Sequence, residues 1–540
     1  MKVGYFLIVM VLVSYKTNAQ TIFSRIYTSF SSAKFNMIEV QPDSILVGLG
    51  RTRAVSWMNS IGDVYFTHTY WAEPDYPISG LGGIQRYKHG EFIFAAGVRS
   101  EADSGGIYCY RPAIGRFNQM GNILSINYFE LDSGCRNYLY DVLLTQDMGV
   151  VGWGDQGRGD PDELFIMKVD STMVLQWAKY FLQSGGFMFV KELPNGDLLA
   201  GLNMDTAGAV VARLDANGNL LWCKSYFRPV GWVHDAVVQA DGSVIVVGVT
   251  EATTQSMFTP LPASFHPKLF MMKLDSAGVV QWCKGYTNDP QRWYTLPTFY
   301  SRIEPTLDGQ YAVCATVGAQ NNGLNYNFEG RPFLMKVDGN GDTLWTRSVG
   351  SDDFLYGIRD LLPHSDGGYM ISGGVLGDLP EQQTGLPFIF KADSLGHFAC
   401  AERTQPVQVM DLFPVDSSFT LTAVDGAIAH TANLGDTIMP PVGVYDHCLM
   451  VPVHEVAAER RMQVRPNPTA GGVTLSFSDP LRADSFYSVF DGTGRLLFQR
   501  PLPSGATSED IDLSRFGSGT YLLRLSGPEG VYHERVVVSP

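Results

Sequence analysis

At 540 residues the chain is too long for one ordinary core, so it is either several domains or a repeat array. Hydrophobic residues at 45%, with 57 Gly and 29 Pro, describe a well-packed, turn-rich β protein rather than a disordered or collagenous one. A formal charge of −15 without any basic cluster weighs against nucleic acid as a partner.

Residues 1–19 have the layout of a secretory signal peptide. Lys2 is the charged start, Val3 to Val13 is apolar, and Thr17-Asn18-Ala19 precedes a cut between Ala19 and Gln20. The apolar run is short for a membrane anchor, and no Cys follows it to carry a lipid. No later segment is long and apolar enough to span a bilayer, so no integral membrane segment is expected after signal removal. Seven Cys in an exported chain permit disulfides and leave one thiol over. Cys400 with Cys448, and Cys109 with Cys135, are the candidate bridges. Cys223 and Cys283 each follow a recurrent Trp directly and read as small buried hydrophobes.

From Phe35 onward one unit recurs. Its third strand is a phrase of apolar, basic, apolar and Asp, with an aromatic seven residues after the Asp. It is present as Met167-Lys168-Val169-Asp170…Trp177, Ala212-Arg213-Leu214-Asp215…Trp222, Met272-Lys273-Leu274-Asp275…Trp282, Met335-Lys336-Val337-Asp338…Trp345 and Phe390-Lys391-Ala392-Asp393…Cys400. Two strands precede the phrase, joined at His89-Gly90, Asn195-Gly196, Asp241-Gly242, Asp308-Gly309 or Asp366-Gly367, pairs that favour two-residue hairpins. An Asp-x-x-Gly turn follows it and leads to a fourth strand opened by the aromatic. Four strands per unit, with apolar inner strands and one large aromatic, predict β-propeller blades.

Complete copies run at about 35–70, 76–122, 140–181, 187–227, 233–287, 299–350 and 356–404, with Phe66 and Phe117 in the aromatic slot of the first two. Phe23-Ser24-Arg25-Ile26-Tyr27 aligns with Trp222-Cys223-Lys224-Ser225-Tyr226 as a fourth strand without its blade, and Val409 to Gly435 reads as three strands lacking a fourth. Pairing the two fragments would close the ring and cover both edges. The expected fold is therefore all-β: an eight-bladed propeller over residues 20–448, closed by N-terminal strand pairing with the last blade. Seven blades is the alternative if one fragment is a cap.

Antiparallel order puts both tight turns of every unit on one rim and both variable connections on the other. The long-loop rim carries Trp232, Phe258, Trp293, Tyr294, Tyr326 and Phe328, candidate ligand contacts on a rigid scaffold unless they merely pack the loops down. Asp338-x-Asn340-x-Asp342 resembles the start of a calcium loop but has Thr343 where Gly is needed and no Glu at the twelfth position. Asp155, Asp160, Asp162 and Glu163 form an acidic loop that reads as solvated. No metal and no cofactor is assigned. The recurrent Lys168, Arg213, Lys273, Lys336 and Lys391 lie on third strands, off the axis, and suit local pairing. The unit is similar to the tryptophan-docking repeat of eight-bladed quinoprotein dehydrogenases, with the Asp-to-Gly and Asp-to-Trp intervals each one residue shorter and the adjacent Cys pair absent. That implies shared blade mechanics, not a shared cofactor.

Residues 449–462 have the composition of an exposed linker, and 463–540 carry alternating strands at Val473–Phe477, Tyr487–Phe490, Leu496–Phe498, Tyr521–Leu525 and Val531–Val538, a small β-sandwich. Val464-Arg465-Pro466-Asn467-Pro468-Thr469-Ala470-Gly471, Asp491-Gly492-Thr493-Gly494-Arg495, Leu513-Ser514 and Gly519-Thr520-Tyr521-Leu522-Leu523-Arg524 precede a last strand, Arg535-Val536-Val537-Val538. In combination this resembles the type A C-terminal sorting domain of the type IX secretion system, departing from it in the Ser539-Pro540 ending. The matching landmarks are Pro466, Asn467, Pro468, Gly471, Asp491, Gly494, Gly519 and Tyr521. The resemblance implies a periplasmic intermediate, partners in the type IX translocon and sortase machinery, and a product secreted or attached to the cell surface. The expected activity is binding or adhesion to an extracellular glycan or protein through the long-loop rim. The alternative is a secreted enzyme, a hydrolase or quinoprotein-like, with its site at the channel mouth.

Overall fold

The structure is a computed structural model. It describes residues 22–446 and 462–539 apart from 28–34, 50–52, 73–77, 103–107, 132–136, 157–163, 251–267, 288–293, 296–300, 321–327, 351–353, 377–385, 439–443, 482–484, 492–495 and a few gaps of one or two residues. The expected leader and its expected cut between Ala19 and Gln20 lie outside the described residues. Two compact bodies result, residues 1–451 and 452–540.

Among the described residues the first body contains seven antiparallel four-stranded units. Unit 1 is Phe35–Gln41, Ser44–Leu49, Ala54–Met58 and Val64–Ala72; unit 2 is Ile78–Arg86, Glu91–Ala102, Tyr108–Asn118 and Ile123–Leu131. Unit 3 is Asn137–Leu144, Val150–Gln156, Leu164–Val169 and Leu175–Phe181; unit 4 is Gly185–Glu192, Leu198–Met204, Gly208–Leu214 and Leu220–Phe227. Unit 5 is Val230–Val238, Val244–Thr250, Leu269–Leu274 and Val280–Thr287. Unit 6 is Tyr294–Thr295 with Arg302–Pro305, then Tyr311–Gln320, Phe328–Val337 and Thr343–Val349. Unit 7 takes Leu355–Pro363, Tyr369–Leu376 and Leu386–Ala392 from the end of the repeat and its fourth strand, Phe23–Tyr27, from the N-terminus. The first strand of each unit lies beside that of the next, and Leu355–Pro363 of unit 7 lies beside Phe35–Gln41 of unit 1.

Among the described residues the second and third strands are mostly buried, because each sheet is covered on both faces by its neighbours. Both recurrent turns have one geometry. Leu193 N–H donates to Asp197 O at 2.8 Å and Gly196 N–H to Leu193 O at 2.9 Å, and Asp215 and Gly218 repeat the pattern at 2.8 and 2.9 Å. These are three-residue loops ending in a left-handed Gly, not the expected two-residue hairpins. In the second turn Asp215 Oδ1 also accepts the N–H of Asn217 and Asn219, which is why Asp opens the phrase.

Units join by a contact that also repeats. The Gly of each Asp-x-x-Gly turn faces the aromatic of the preceding unit: Gly218 faces Trp177, Gly278 faces Trp222, Gly341 faces Trp282 and Gly396 faces Trp345. Any Cβ at Gly278 would sit 2.7 Å from the Trp222 ring. Four residues after the aromatic slot a buried Tyr donates its hydroxyl to the same turn Gly carbonyl. Tyr70 reaches Gly121 O at 2.9 Å, Tyr226 reaches Gly278 O at 2.8 Å and Tyr286 reaches Gly341 O at 2.7 Å. Phe23 and Tyr27 make the same contacts with Gly62 of unit 1, the hydroxyl at 2.9 Å. The recurrent basic residues meet the acid of the first turn, as Lys168–Asp147 at 2.6 Å, Arg213–Asp197 at 2.7 Å, Lys336–Asp308 at 2.6 Å and Lys391–Asp366 at 2.7 Å.

Among the described residues, Val409 to Gly435 does not form the expected eighth unit. Residues 402–446 instead run round the outside against the order of the repeat and add a fifth strand to each sheet in turn. Glu402–Thr404 joins unit 6, Gln408–Asp411 unit 5, Val415–Ser418 unit 4, Ala423–Asp425 unit 3, Ala427–Ala432 unit 2, Leu434–Ile438 unit 1 and Val444–Asp446 unit 7. In units 5 and 4 the residue after the recurrent Trp offers its carbonyl to this belt: Cys283 O accepts from Leu412 N–H at 2.8 Å and Cys223 O from Phe419 N–H at 3.0 Å. The basic residue one further on meets a belt acid, as Lys179–Asp425, Lys224–Asp416 and Arg347–Glu402. The segment alternates like a strand because it is one; its few inward apolar anchors, Leu412, Phe419 and Leu421, are too sparse to build a core of their own.

Phe117 lies on the third strand of unit 2, whose fourth strand is Ile123–Leu131. Cys400 is not in a fourth strand; it is disulfide-bonded at the point where the chain leaves unit 7 for unit 6. Cys223, Cys283 and Cys314 are buried free thiols.

In the second body, Met462–Arg465, Gly472–Phe477 and Ser508–Asp512 form one sheet, and Leu496–Leu502, Ser485–Phe490, Gly519–Gly527 and Gly530–Val538 another. Leu475, Val489, Leu513, Leu523 and Val536 fill the core the two sheets share. Asn467 ties the start of the domain to its end, donating to Arg535 O at 2.6 Å and accepting from Val537 N–H at 2.9 Å. Gly471 (φ +143°) lies against Ser514, where a Cβ would meet the Ser514 side chain at 2.7 Å. Tyr521 donates to the carbonyls of Phe516 and Gly517. These landmarks hold the two sheets together. Gly494 lies outside the described residues.

Candidate functional site

The first strands line the axis, and five of them carry a β-bulge at the same level, that of unit 2 being formed by Gly82 and Gly83 opposite Ala95. The extra residue is Tyr140 in unit 3, Met188 in unit 4, His234 in unit 5 and Arg359 in unit 7. A bulge re-aims the following side chain, and in units 3, 5 and 7 that residue is Asp: Asp141, Asp235 and Asp360. Asp141 and Asp235 each accept the N–H of the next residue, at 2.9 and 2.8 Å. Asp360 Oδ2 reaches Met37 N–H of unit 1 at 2.6 Å, and Asp235 Oδ2 reaches Ile303 N–H of unit 6 at 3.3 Å. The acids therefore bond across unit boundaries at the axis.

Around them lies a cavity of about 330 Å³ lined by Asn36, Tyr140, Asp141, Trp153, Arg302 and Arg359, among others. A second, of about 140 Å³, continues it past Lys191, Asp235, Glu304 and Asp360. The larger one is lined by residues near the strand ends that lead into the variable connections, such as Asp155 and Gly186. Arg302 Nε donates to Arg359 O at 2.8 Å, and Arg302 and Arg359 line the larger cavity together with Asp141 and Asp155 of unit 3.

Burial raises the Glu304 carboxyl to about 7 against the pull of Lys191, and raises Asp360 to about 6 against that of Arg302. Burial opposes the charge of Lys191, yet Asp235, its partner at 2.9 Å, and Glu304 hold its ammonium above the ordinary range. Burial and the Arg302 charge push His234 down to about 3, so its ring is neutral and Nδ1 accepts Ser301 N–H at 3.0 Å. The channel thus combines fixed charges with a carboxyl that titrates near neutrality, an arrangement suited to gripping a small polar ligand.

The expected rim aromatics fare differently. Trp232 is buried in the first strand of unit 5 against Val249 and offers no exposed face, because the loop assigned to it is only a turn. Tyr294 and Phe328 lie on strands of unit 6, opposite Gly318 and Gln320. Phe258, Trp293 and Tyr326 lie outside the described residues, as do Cys135 and Cys448; Cys109 is on the third strand of unit 2. In the calcium-like turn Asp338 Oδ1 accepts the N–H of Asn340 and Asp342, and Asp342 pairs with Lys284 at 2.6 Å. Among the described residues no group of His, Cys, Asp or Glu is placed to hold a metal, and no helix is long and apolar enough to cross a membrane. Sequence reasoning missed the axial residues. Their signal was an Asp interrupting the apolar first strand of alternate units, as in Tyr140-Asp141-Val142, His234-Asp235-Ala236 and Arg359-Asp360-Leu361.

These features define an all-β, propeller-like protein with a separate C-terminal domain. That domain, residues 463–539, belongs to the secretion system C-terminal sorting domain family. The chain is therefore a client of the type IX secretion machinery, secreted or attached to the cell surface by way of the periplasm. No curated protein matches it. Among solved structures it is similar to polysaccharide lyase Uly1, at 10% identity over 68% of this chain and 90% of that one, with a TM-score of 0.37. It is also similar to Drosophila Plexin A in complex with Semaphorin 1b (9% identity, 69% and 88% coverage, TM-score 0.33). A third is the intramolecular trans-sialidase from Ruminococcus gnavus (10%, 69% and 98%, TM-score 0.33). Likeness at this level transfers neither ligand nor activity.

Proposed function

We propose that the mature chain is an exported binding module: a closed seven-bladed propeller, residues 20–448, that takes an extracellular glycan or protein on its long-loop face, with the axial cavity as the centre of the site. The signal peptide, the linker 449–462 and the sorting domain deliver it to the translocon and sortase machinery. The observation that carries the reading is the cavity itself, where Arg302, Arg359, Asp141 and Asp155 line one space of about 330 Å³, near the lower end of small-ligand pockets. Glycan and peptide arrays probed with the secreted protein test it. Binding should fall at least tenfold in Arg359→Ala with an unchanged melting temperature. Equal binding by wild type and variant would overturn it.

The enzymatic reading draws on Glu304, whose carboxyl at about 7 lies in the range for proton transfer at neutral pH. Turnover of a bound glycan that is lost in Glu304→Gln, with binding retained, would favour it over simple binding.

A further inference from the structure

The belt is a single extended run of chain. About 50 residues at some 3.3 Å each give on the order of 160 Å of extended chain. Over that length it touches the outer edge of all seven units, beginning at unit 6 and ending at unit 7. Its two ends thus return to neighbouring units. At its start, Phe398 bridges to Ala392 of unit 7, and Ala401 O accepts Gly350 N–H at the end of unit 6. At its end, Asp446 pairs with Arg25, two residues from Phe23, which itself pairs with Lys391. Asp446 lies level with Arg25 and Ile389, three residues short of the Ala392 level at which Phe398 bridges, and from Val444 to Asp446 the chain runs toward that end.

Cys400, two residues after Phe398, is disulfide-bonded, while Cys223, Cys283 and Cys314 are free. That leaves Cys109, Cys135 and Cys448. A disulfide needs Cα atoms within about 7 Å. Cys109 is in unit 2, and Cys135 is within two residues of Asn137, the start of unit 3. Neither unit adjoins unit 6 or unit 7. Cys448 follows Asp446 by two residues.

We infer that Cys400 and Cys448 are the clasp of the belt, closing residues 400–448 into a covalent hoop around the seven-unit body. Closure takes two protons and two electrons from the two thiols; a periplasmic thiol-exchange protein accepts them as its own disulfide becomes a dithiol. Clasped before passage through the outer membrane, the belt cannot peel from the sheets outside the cell. A loop of this size shifts the folded-to-unfolded ratio by on the order of a thousandfold in the chain-entropy account.

The test is a protease site inserted at Thr420, an exposed belt residue between the strands on units 4 and 3. After cleavage of the full-length secreted protein, a denaturing gel without reductant should show one covalent species, and reductant should release two fragments. The same insertion carrying Cys448→Ser should release two fragments without reductant. Two fragments from the parent without reductant would place the partner of Cys400 before the cut, at Cys109 or Cys135, and overturn the clasp. A disulfide-linked dimer would overturn it too. Should the insertion fail to fold, mass spectrometry of unreduced peptides from the uncut protein decides, since it must find the Cys400 and Cys448 peptides joined. Hydrogen exchange adds a physical readout. Reduction should speed exchange across 408–438 at least tenfold, and an unchanged rate would count against the hoop.

Discussion

If Phe23–Tyr27 closes a ring, its contacts must be worth as much as those between units that are consecutive in the chain. Tyr27, Tyr70 and Tyr286 are each almost fully buried, and each donates its hydroxyl to one turn Gly carbonyl at 2.7–2.9 Å. Tyr→Phe at any of them removes the donor and leaves a carbonyl short of a partner, a loss of about 1 to 1.5 kcal/mol. Tyr226 is the internal control, because Gly278 O has a second donor in Lys224 Nζ at 3.2 Å. Its loss should be smaller, about 0.5 kcal/mol. Urea titration followed by tryptophan fluorescence reads these values. With m near 3 kcal/mol per molar, 1 kcal/mol moves the midpoint by about 0.3 M. Tyr27→Phe should match Tyr286→Phe, and the double variant should show the sum, since the two contacts lie at different unit boundaries. A midpoint unmoved by Tyr27→Phe alongside a clear shift in Tyr286→Phe would refute the closed ring.

Three further outcomes are expected. Gly278→Ala (φ +73°) forces a Cβ against Trp222 and should cost about 2–3 kcal/mol, whereas Gly309→Ala (φ +77°), with open space around it, should cost only about 1 kcal/mol of backbone strain; equal losses would show that docking on Trp222 is unimportant. Deleting residues 463–540 should leave the propeller in the periplasm, and normal appearance in the medium would refute the export role of that domain. Glu304, with its folded pKa raised to about 7, binds its proton more tightly folded than unfolded, so its contribution is full below about pH 4.3 and declines as pH rises through 7. Melting temperatures should therefore fall between pH 5 and 7 in the wild type and stay flatter in Glu304→Gln; identical profiles would show that Glu304 does not titrate there.

Much of the architecture was legible because the repeat phrase encodes local physics. Asp215 and Gly218 form a turn that any sequence reader can recognise, and the alignment of Phe23–Tyr27 with Trp222–Tyr226 exposed a displaced fourth strand. What the phrase could not report was the partner of that strand. Register along a strand is local, but pairing is decided by which edge lies open, and the open edge belonged to unit 7. The belt misled for the same reason: a segment such as Gln408–Asp411 alternates identically whether it builds a sheet or trims one. Trp232 was misplaced because a strand boundary lay three residues earlier than expected. The axial acids escaped notice because one Asp in an apolar strand is a weak signal until bulges gather Asp141, Asp235 and Asp360 at one level.

In a plain stack of repeats each module feels only its two neighbours, so damage stays local. Here a single late stretch of chain, residues 402–446, bonds to all of them, and every load on one module is shared by the rest. Mechanical integrity is thus assigned to the circumference and to the rim of short hairpins. The opposite rim carries the variable connections, so a change of specificity there need not disturb the hairpins and the belt that join the modules.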